Sequence, residues 1–73
     1  MTERPVTISL NGDPFALTAP LTISGLLALL KVDPRRVAVE HNVVVLKRSA
    51  YDTTPLAEGD TVEIVNFVGG GAL

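Results

Sequence analysis

No cysteine stands among the 73 residues of the chain, so neither a disulfide nor a thiolate-held metal can substitute for a hydrophobic core. A chain this short builds only a small core, and nearly all of its apolar side chains must be buried to hold it together. Hydrophobic residues make up 47% of the sequence and charged residues 19%, too apolar a balance for intrinsic disorder and suited to a single domain. The missing cysteine also excludes thiolate nucleophiles and sulfur transfer through a thiol of this chain. Any apolar residue left outside the core then raises a functional question.

Six Lys/Arg against eight Asp/Glu give a formal net charge of -2. The adjacent basic pairs are Arg35-Arg36 and Lys47-Arg48, and they form no arm or stripe, so the pattern argues against nucleic acid as a partner. Met1-Thr2-Glu3-Arg4-Pro5 lacks the apolar centre of a signal peptide, and no run approaches the ~20 apolar residues of a membrane span. The expectation is a cytoplasmic protein without a membrane partner.

Val6-Thr7-Ile8-Ser9-Leu10 alternates apolar and polar residues, the mark of a strand with one buried face. Asn11-Gly12 follows, a pair that tolerates positive φ and predicts a hairpin returning through Phe15-Ala16-Leu17-Thr18. Pro14 and Pro20 bracket that second strand and predict a short strand near a sheet edge. Thr22 can cap a helix whose apolar positions Ile23, Leu26, Leu27 and Leu30 make one stripe, with Lys31 in its last turn and Asp33-Pro34 ending it. Gly25 within that helix costs about 1 kcal/mol relative to Ala, which leaves open close packing against the sheet or simple tolerance.

From Val37 to Leu46 the β-branched residues predict two strands turned back on each other at Glu40-His41-Asn42. Ser49 to Asp60, with Pro55 and Gly59-Asp60, reads as an irregular crossover. The last strand is predicted over Thr61 to Val68, with Val62 and Ile64 on one face and Glu63, Val65 and Phe67 on the other. The order strand, strand, helix, strand, strand, crossover, strand gives an α+β plan, one helix across one face of a mixed sheet. Phe15 is expected in the core, and Tyr51 at its edge with a wet hydroxyl.

His41, the only histidine, reads as a solvated turn residue, and Asp13, Asp33, Asp52 and Asp60 read as turn formers. Gly69-Gly70-Gly71 is not expected to be a phosphate loop, because such loops lead from a strand into a helix and two residues, Ala72-Leu73, are too few for one. Two readings remain for it: an inert flexible tail, or a thread without side chains that enters a narrow passage in a partner. Val65 and Phe67, leading into the glycines on the face away from the helix, are the candidate docking surface. Arg48, with Lys47, either orients that docking or lies in a solvated turn.

The residues that carry a family resemblance are Asn11-Gly12 after the first strand, Thr22-Ile23-Ser24-Gly25-Leu26-Leu27, Val37-Ala38-Val39-Glu40-His41-Asn42, and Leu56-Ala57-Glu58-Gly59-Asp60-Thr61-Val62 running on to Gly69-Gly70-Gly71. Together they resemble the ThiS sulfur carriers of thiamine biosynthesis, within the ubiquitin-like β-grasp fold. The resemblance implies a mixed sheet of four to five strands with one helix, a β-grasp domain over 1–68 and a Gly-rich flexible tail over 69–73. It implies a carrier and not an enzyme, without catalytic residues, metal or bound cofactor, monomeric when free. A ThiF-like adenylyltransferase would use ATP to adenylate the carboxylate of Gly71, and sulfur would displace AMP to leave a thiocarboxylate for a ThiG-like thiazole synthase. Gly69 and Gly70 would form the lead, and Val65, Phe67 and Arg48 the partner surface.

The sequence departs from that pattern in two ways: Ala72 and Leu73 follow the glycines, whereas activation needs a free glycine carboxylate. Lys47 also stands where many relatives have proline, which bears on the local turn alone. The related small subunit of molybdopterin synthase, MoaD-like, and a ubiquitin-like interaction domain whose glycines do nothing are the competing functions.

Overall fold

The computed structural model describes residues 5–66, so the expectations for Phe67, Gly69, Gly70 and Gly71 lie outside the described residues. Asn11 and Gly12 hold φ of 50° and 89°, and the tight turn they make folds β1 (Val6–Leu10) back on β2 (Asp13–Leu17). Asn11 then ties the hairpin to the last strand, β5 (Thr61–Asn66). Its N–H donates to the carbonyl of Val62 at 2.9 Å, and its Oδ1 accepts from the N–H of Ile64 at 2.7 Å.

The remaining strands are β3 (Val37–His41) and β4 (Val44–Val45), and the five-stranded sheet runs in the order β2-β1-β5-β3-β4. β1 and β5 are parallel, and the other neighbours are antiparallel, so the sheet is mixed. β2 lies at an edge, as its Pro14 requires, because proline has no N–H to give to a further strand. β5 lies at the centre, between β1 and β3.

The one α-helix among the described residues, α1 (Ile23–Leu29), begins at Thr22, whose Oγ1 accepts from the N–H of Gly25 at 3.1 Å. Ile23, Leu26 and Leu27 are buried and Leu30 is partly so, which is the apolar stripe the spacing predicts. Lys31 stands one residue past the helix cap in the left-handed region, at φ 60°, and not in the last turn. The N–H of Lys31 reaches Ala28 at 3.1 Å and that of Val32 reaches Leu27 at 2.9 Å, the paired bonds of a Schellman closure. A side chain in this backbone region costs about 1 kcal/mol, so Lys31→Gly should raise stability by about that much, read as a higher urea midpoint at unchanged m-value.

A Cβ at Gly25 would stand 3.0 Å from Cδ2 of Leu21, so the close neighbour is the segment leading into the helix rather than the sheet. Asp33 does not end α1. It caps a separate 3-10 turn, Pro34–Arg36, accepting from the N–H of Arg35 at 2.9 Å.

The turn between β3 and β4 is centred on Asn42 and Val43, at φ 52° and 73°, and not on Glu40-His41-Asn42. Glu40 and His41 stay in β3 because they pair with β5 on one side and β4 on the other. Val43 is a β-branched residue in a left-handed position and is 84% exposed, so the strand pairing overrides its local preference. Tyr51 is buried, at 4% exposure, deeper than the edge position expected of it. The crossover folds inward there: Tyr51 accepts the N–H of Ser24 at its carbonyl, and Thr22 bridges to Pro55. Phe15 is partly buried against the core formed between α1 and the inner sheet face. No helix among the described residues is long and apolar enough to cross a membrane.

Candidate functional site

The alternation along β5 decides what the central strand offers on each side. Val62 is buried and Ile64 is partly buried under α1, while Glu63 and Val65 face outward. Val65 is 58% exposed and stands opposite Ala38 on β3. Glu63 stands opposite Glu40, and Glu40 is opposite Val45 of β4, itself 64% exposed. The outer face therefore joins an apolar patch, Val65 and Ala38, to a pair of facing carboxylates, beside the place where the chain leaves β5. Like charges set across two strands work against sheet stability. Val65 is thus an apolar residue of a central strand that lies outside the core.

Val65 is thus placed as the sequence predicts, and Phe67, Gly69, Gly70 and Gly71 lie beyond the described residues. Arg48 is exposed, in a 3-10 turn over Arg48–Ala50, and its Nε donates to the carbonyl of Pro34 at 3.3 Å. Pro34–Arg36 runs directly into Val37, the partner of Asn66. Arg48 therefore fastens the two 3-10 turns to each other near the Val37–Asn66 end of the β3–β5 pair. Among the described residues no hydrogen bond or ion pair joins it to β5. Lys47 precedes the turn and makes no side-chain cap.

His41 is not a solvated turn residue. Its Nε2 lies 2.8 Å from Oδ2 of Asp60, and the two side chains are 18% and 15% exposed. Asp60 also accepts from the N–H of Ala57 at 2.9 Å and from Nδ2 of Asn42 at 3.1 Å, while Oδ1 of Asn42 accepts from the N–H of Thr61 at 2.9 Å. Asp60 is thus the turn former the sequence predicts and more: it clasps the β3–β4 turn to the start of β5. Burial opposes its charge, but the hydrogen bonds from His41, Ala57 and Asn42 and the nearby His41 charge outweigh that and hold the carboxyl below the ordinary range. Of the other aspartates read as turn formers, Asp33 pairs with Arg35 at 3.1 Å and Asp52 accepts from Oγ of Ser24, whereas Asp13 is the first residue of β2, paired with Leu10.

This clasp has a consequence for acid stability. Because the Asp60 carboxyl titrates lower in the folded chain than in the unfolded one, its contribution is present above about pH 4 and is lost as pH falls through the folded value. The urea midpoint of the native chain should fall on acidification from pH 5 to pH 3 by more than that of Asp60→Asn, which keeps the shape and loses the charge. Equal acid slopes for the two proteins would remove Asp60 from the account.

Among the described residues no group of three His, Asp or Glu side chains is placed to hold a metal ion. The clasp binds backbone to backbone through side chains already satisfied by one another, and the free chemistry of this face is apolar contact and carboxylate charge.

The model of the ThiS family matches residues 8–71. The chain belongs to the ThiS family. It is 40% identical over 50 residues to the sulfur carrier protein ThiS of Bacillus subtilis, covering 68% of this chain and 76% of that protein. The crystal structure of the thiamine biosynthesis protein ThiS from Geobacter metallireducens superposes with a TM-score of 0.79 at 39% identity, over 90% of this chain and all of that one. A thiazole synthase of Magnetococcus marinus is 45% identical over 64 residues, which are 88% of this chain but 20% of that protein. The chain thus spans about a fifth of the length of that relative. With a ThiS structure as its neighbour, the five-stranded mixed sheet crossed by one helix is the ubiquitin-like β-grasp.

Proposed function

We propose that the chain is a sulfur carrier for thiamine biosynthesis, in which the carboxylate of Gly71 is the group that carries sulfur. The observation that supports this most is the ThiS family match, which runs through all three glycines to Gly71. A ThiF-like adenylyltransferase would bring ATP; the carboxylate oxygen attacks the α-phosphorus and pyrophosphate leaves. A sulfur nucleophile then attacks the acyl carbon, AMP departs, and the chain ends in a thiocarboxylate. Glycine suits each step, because no Cβ blocks the approach of an enzyme surface to the carbonyl. The chain itself supplies a handle and a substrate. As a member of the ThiS family it is a carrier acted on by its partners and not an enzyme.

The partner for release is a ThiG-like thiazole synthase. Support comes from the thiazole synthase relative, in which a segment like this one is part of the same polypeptide. Val65 is the described residue of the docking face, and Phe67 extends the same period-two face in the sequence. Val65→Glu should weaken binding to the adenylyltransferase or the synthase about tenfold, measured by calorimetry, while leaving the urea midpoint nearly unchanged because the side chain is already 58% exposed.

Reconstitution tests the reading. The chain ending at Gly71, the adenylyltransferase, ATP, a sulfur donor and thiazole synthase should together yield thiazole, with sulfur traceable to the chain. Delivery of that sulfur to a pterin and not to a thiazole would assign the chain to the molybdopterin branch instead.

A further inference from the structure

Five of the six Lys/Arg of the chain stand in two short stretches, residues 31–36 and 47–48, which hold one of its eight Asp/Glu, Asp33. Those stretches carry +4 in a chain of net charge -2, so the rest carries -6. The fold brings the two stretches together. Because β3 and β4 run antiparallel, with the N–H of Leu46 on the carbonyl of Val39, the residues that enter β3 and those that leave β4 meet at one end of the pair. The 3.3 Å bond from Nε of Arg48 to the carbonyl of Pro34 closes them on each other. Lys31, Arg35, Arg36, Lys47 and Arg48 are all exposed there. We infer that this basic end is a recognition surface for a carboxylate-rich protein surface, and that Arg48 is the residue that grips a carboxylate.

Asp33 answers one of the charges. Its carboxylate takes Nε of Arg35 at 3.2 Å and Nη2 at 3.1 Å, and stands 3.9 Å from Nε of Arg36. Among the described residues Lys31, Lys47 and Arg48 form no ion pair. Arg48 differs from the others in being fixed by the backbone. Its Nε is committed to Pro34, which orients the guanidinium plane and leaves Nη1 and Nη2, a parallel pair of donors that matches the two oxygens of a carboxylate. Nucleic acid fits less well, because Glu40 and Glu63 stand exposed on the outer sheet face and would repel a phosphate backbone.

The inference rests on the carrier reading above, and the occupant is the adenylyltransferase, which must take up the free chain from solution. The patch adjoins the Val37–Asn66 pair, the end of β5 nearest in sequence to Gly71. Carboxylates around the mouth of the enzyme's site would draw the chain in with that end foremost. Charges of this kind act mainly on the association rate and its salt dependence.

The test follows association of the chain ending at Gly71 with immobilised adenylyltransferase by surface plasmon resonance; the described fold, ending at Asn66, is common to both forms. The native chain should associate about tenfold more slowly at about 1 M than at about 0.1 M salt, as the Debye length falls from about 10 Å to about 3 Å. Arg36→Gln with Lys47→Gln should be about tenfold slower at the lower salt, lose most of that dependence and keep the native urea midpoint. Thr18→Glu with Ala19→Glu, which gives the same net charge on exposed residues just past β2, should stay within about twofold of the native rate. Arg48→Lys should keep the salt dependence and dissociate several-fold faster; a dissociation rate equal to the native one would remove the grip of Arg48. Association indifferent to salt, or equal slowing in the Thr18/Ala19 variant, would overturn the surface, while sulfur loading of the chain would keep the carrier reading. Salt-dependent binding of the chain to itself or to RNA, lost in the Arg36/Lys47 variant, would give the surface to that ligand and overturn the proposal. Neither association nor sulfur loading by an enzyme that loads a known ThiS carrier would remove the carrier reading, and this surface with it.

Discussion

Gly71→Val, made in the chain that ends at that residue, is expected to cut thiocarboxylate formation by at least about 100-fold while leaving the urea midpoint where it was. A valine side chain places three carbons beside the carboxylate that must meet the α-phosphorus of ATP, and displacement of a reacting atom by about 1 Å is enough for a loss of that order. The fold should be indifferent, since Gly71 lies five residues past the end of β5 at Asn66. Gly71→Ala should fall between the two, having one added carbon. Sulfur loading of the valine form within twofold of the native rate would mean that the reacting group is elsewhere, and would favour an interaction domain whose glycines are idle.

The second large effect lies in the core. Leu26→Ala is expected to destabilise the chain by about 2–5 kcal/mol, the range for emptying a fully buried leucine site. Leu26 has no exposed surface and sits between α1 and the sheet in a core that comprises ten buried side chains among the described residues. At about 0.05–0.15 kcal/mol per residue, a chain of this size has on the order of 4–11 kcal/mol in total, so one such cavity removes a large fraction of it. Nothing else is available to compensate, because there is no cysteine to cross-link the chain. The measurement is urea unfolding followed by circular dichroism, and a midpoint unchanged from the native protein would show that the site closes up or that the leucine is not in the core.

Most of the fold was legible because its signals are local. Asn11-Gly12 needed only two residues that accept positive φ; the stripe Ile23, Leu26, Leu27 and Leu30 needed only the helical period; Pro14 needed only its missing N–H to place β2 at an edge. The outward position of Val65 followed from alternation along β5. What failed to show were contacts between residues far apart in sequence. His41 and Asp60 are 19 positions apart, and only the antiparallel pairing of β3 with β5 brings them within 2.8 Å. Read locally, each is a polar residue next to a turn. The β3–β4 turn falls one to two residues later than local sequence indicates for a related reason: Val43 is a poor residue for a left-handed position, and it takes one at φ 73° because the pairing of β3 with two neighbours fixes where the chain must reverse. Lys31 at φ 60° is the same case at the end of α1, where helix closure overrides residue preference. Tyr51 lies deeper than its local sequence indicates because its burial depends on how the crossover folds over the core, which no period in the sequence encodes.

The central claim is that this β-grasp domain carries sulfur on the carboxylate of Gly71. Intact mass measurement of the chain ending at Gly71, after incubation with ATP, the adenylyltransferase and a sulfur donor, tests it most directly. The account predicts replacement of one oxygen by sulfur, dependent on ATP and mapped by fragmentation to Gly71. An unchanged mass, with an enzyme shown to load a known ThiS carrier in the same mixture, would contradict it.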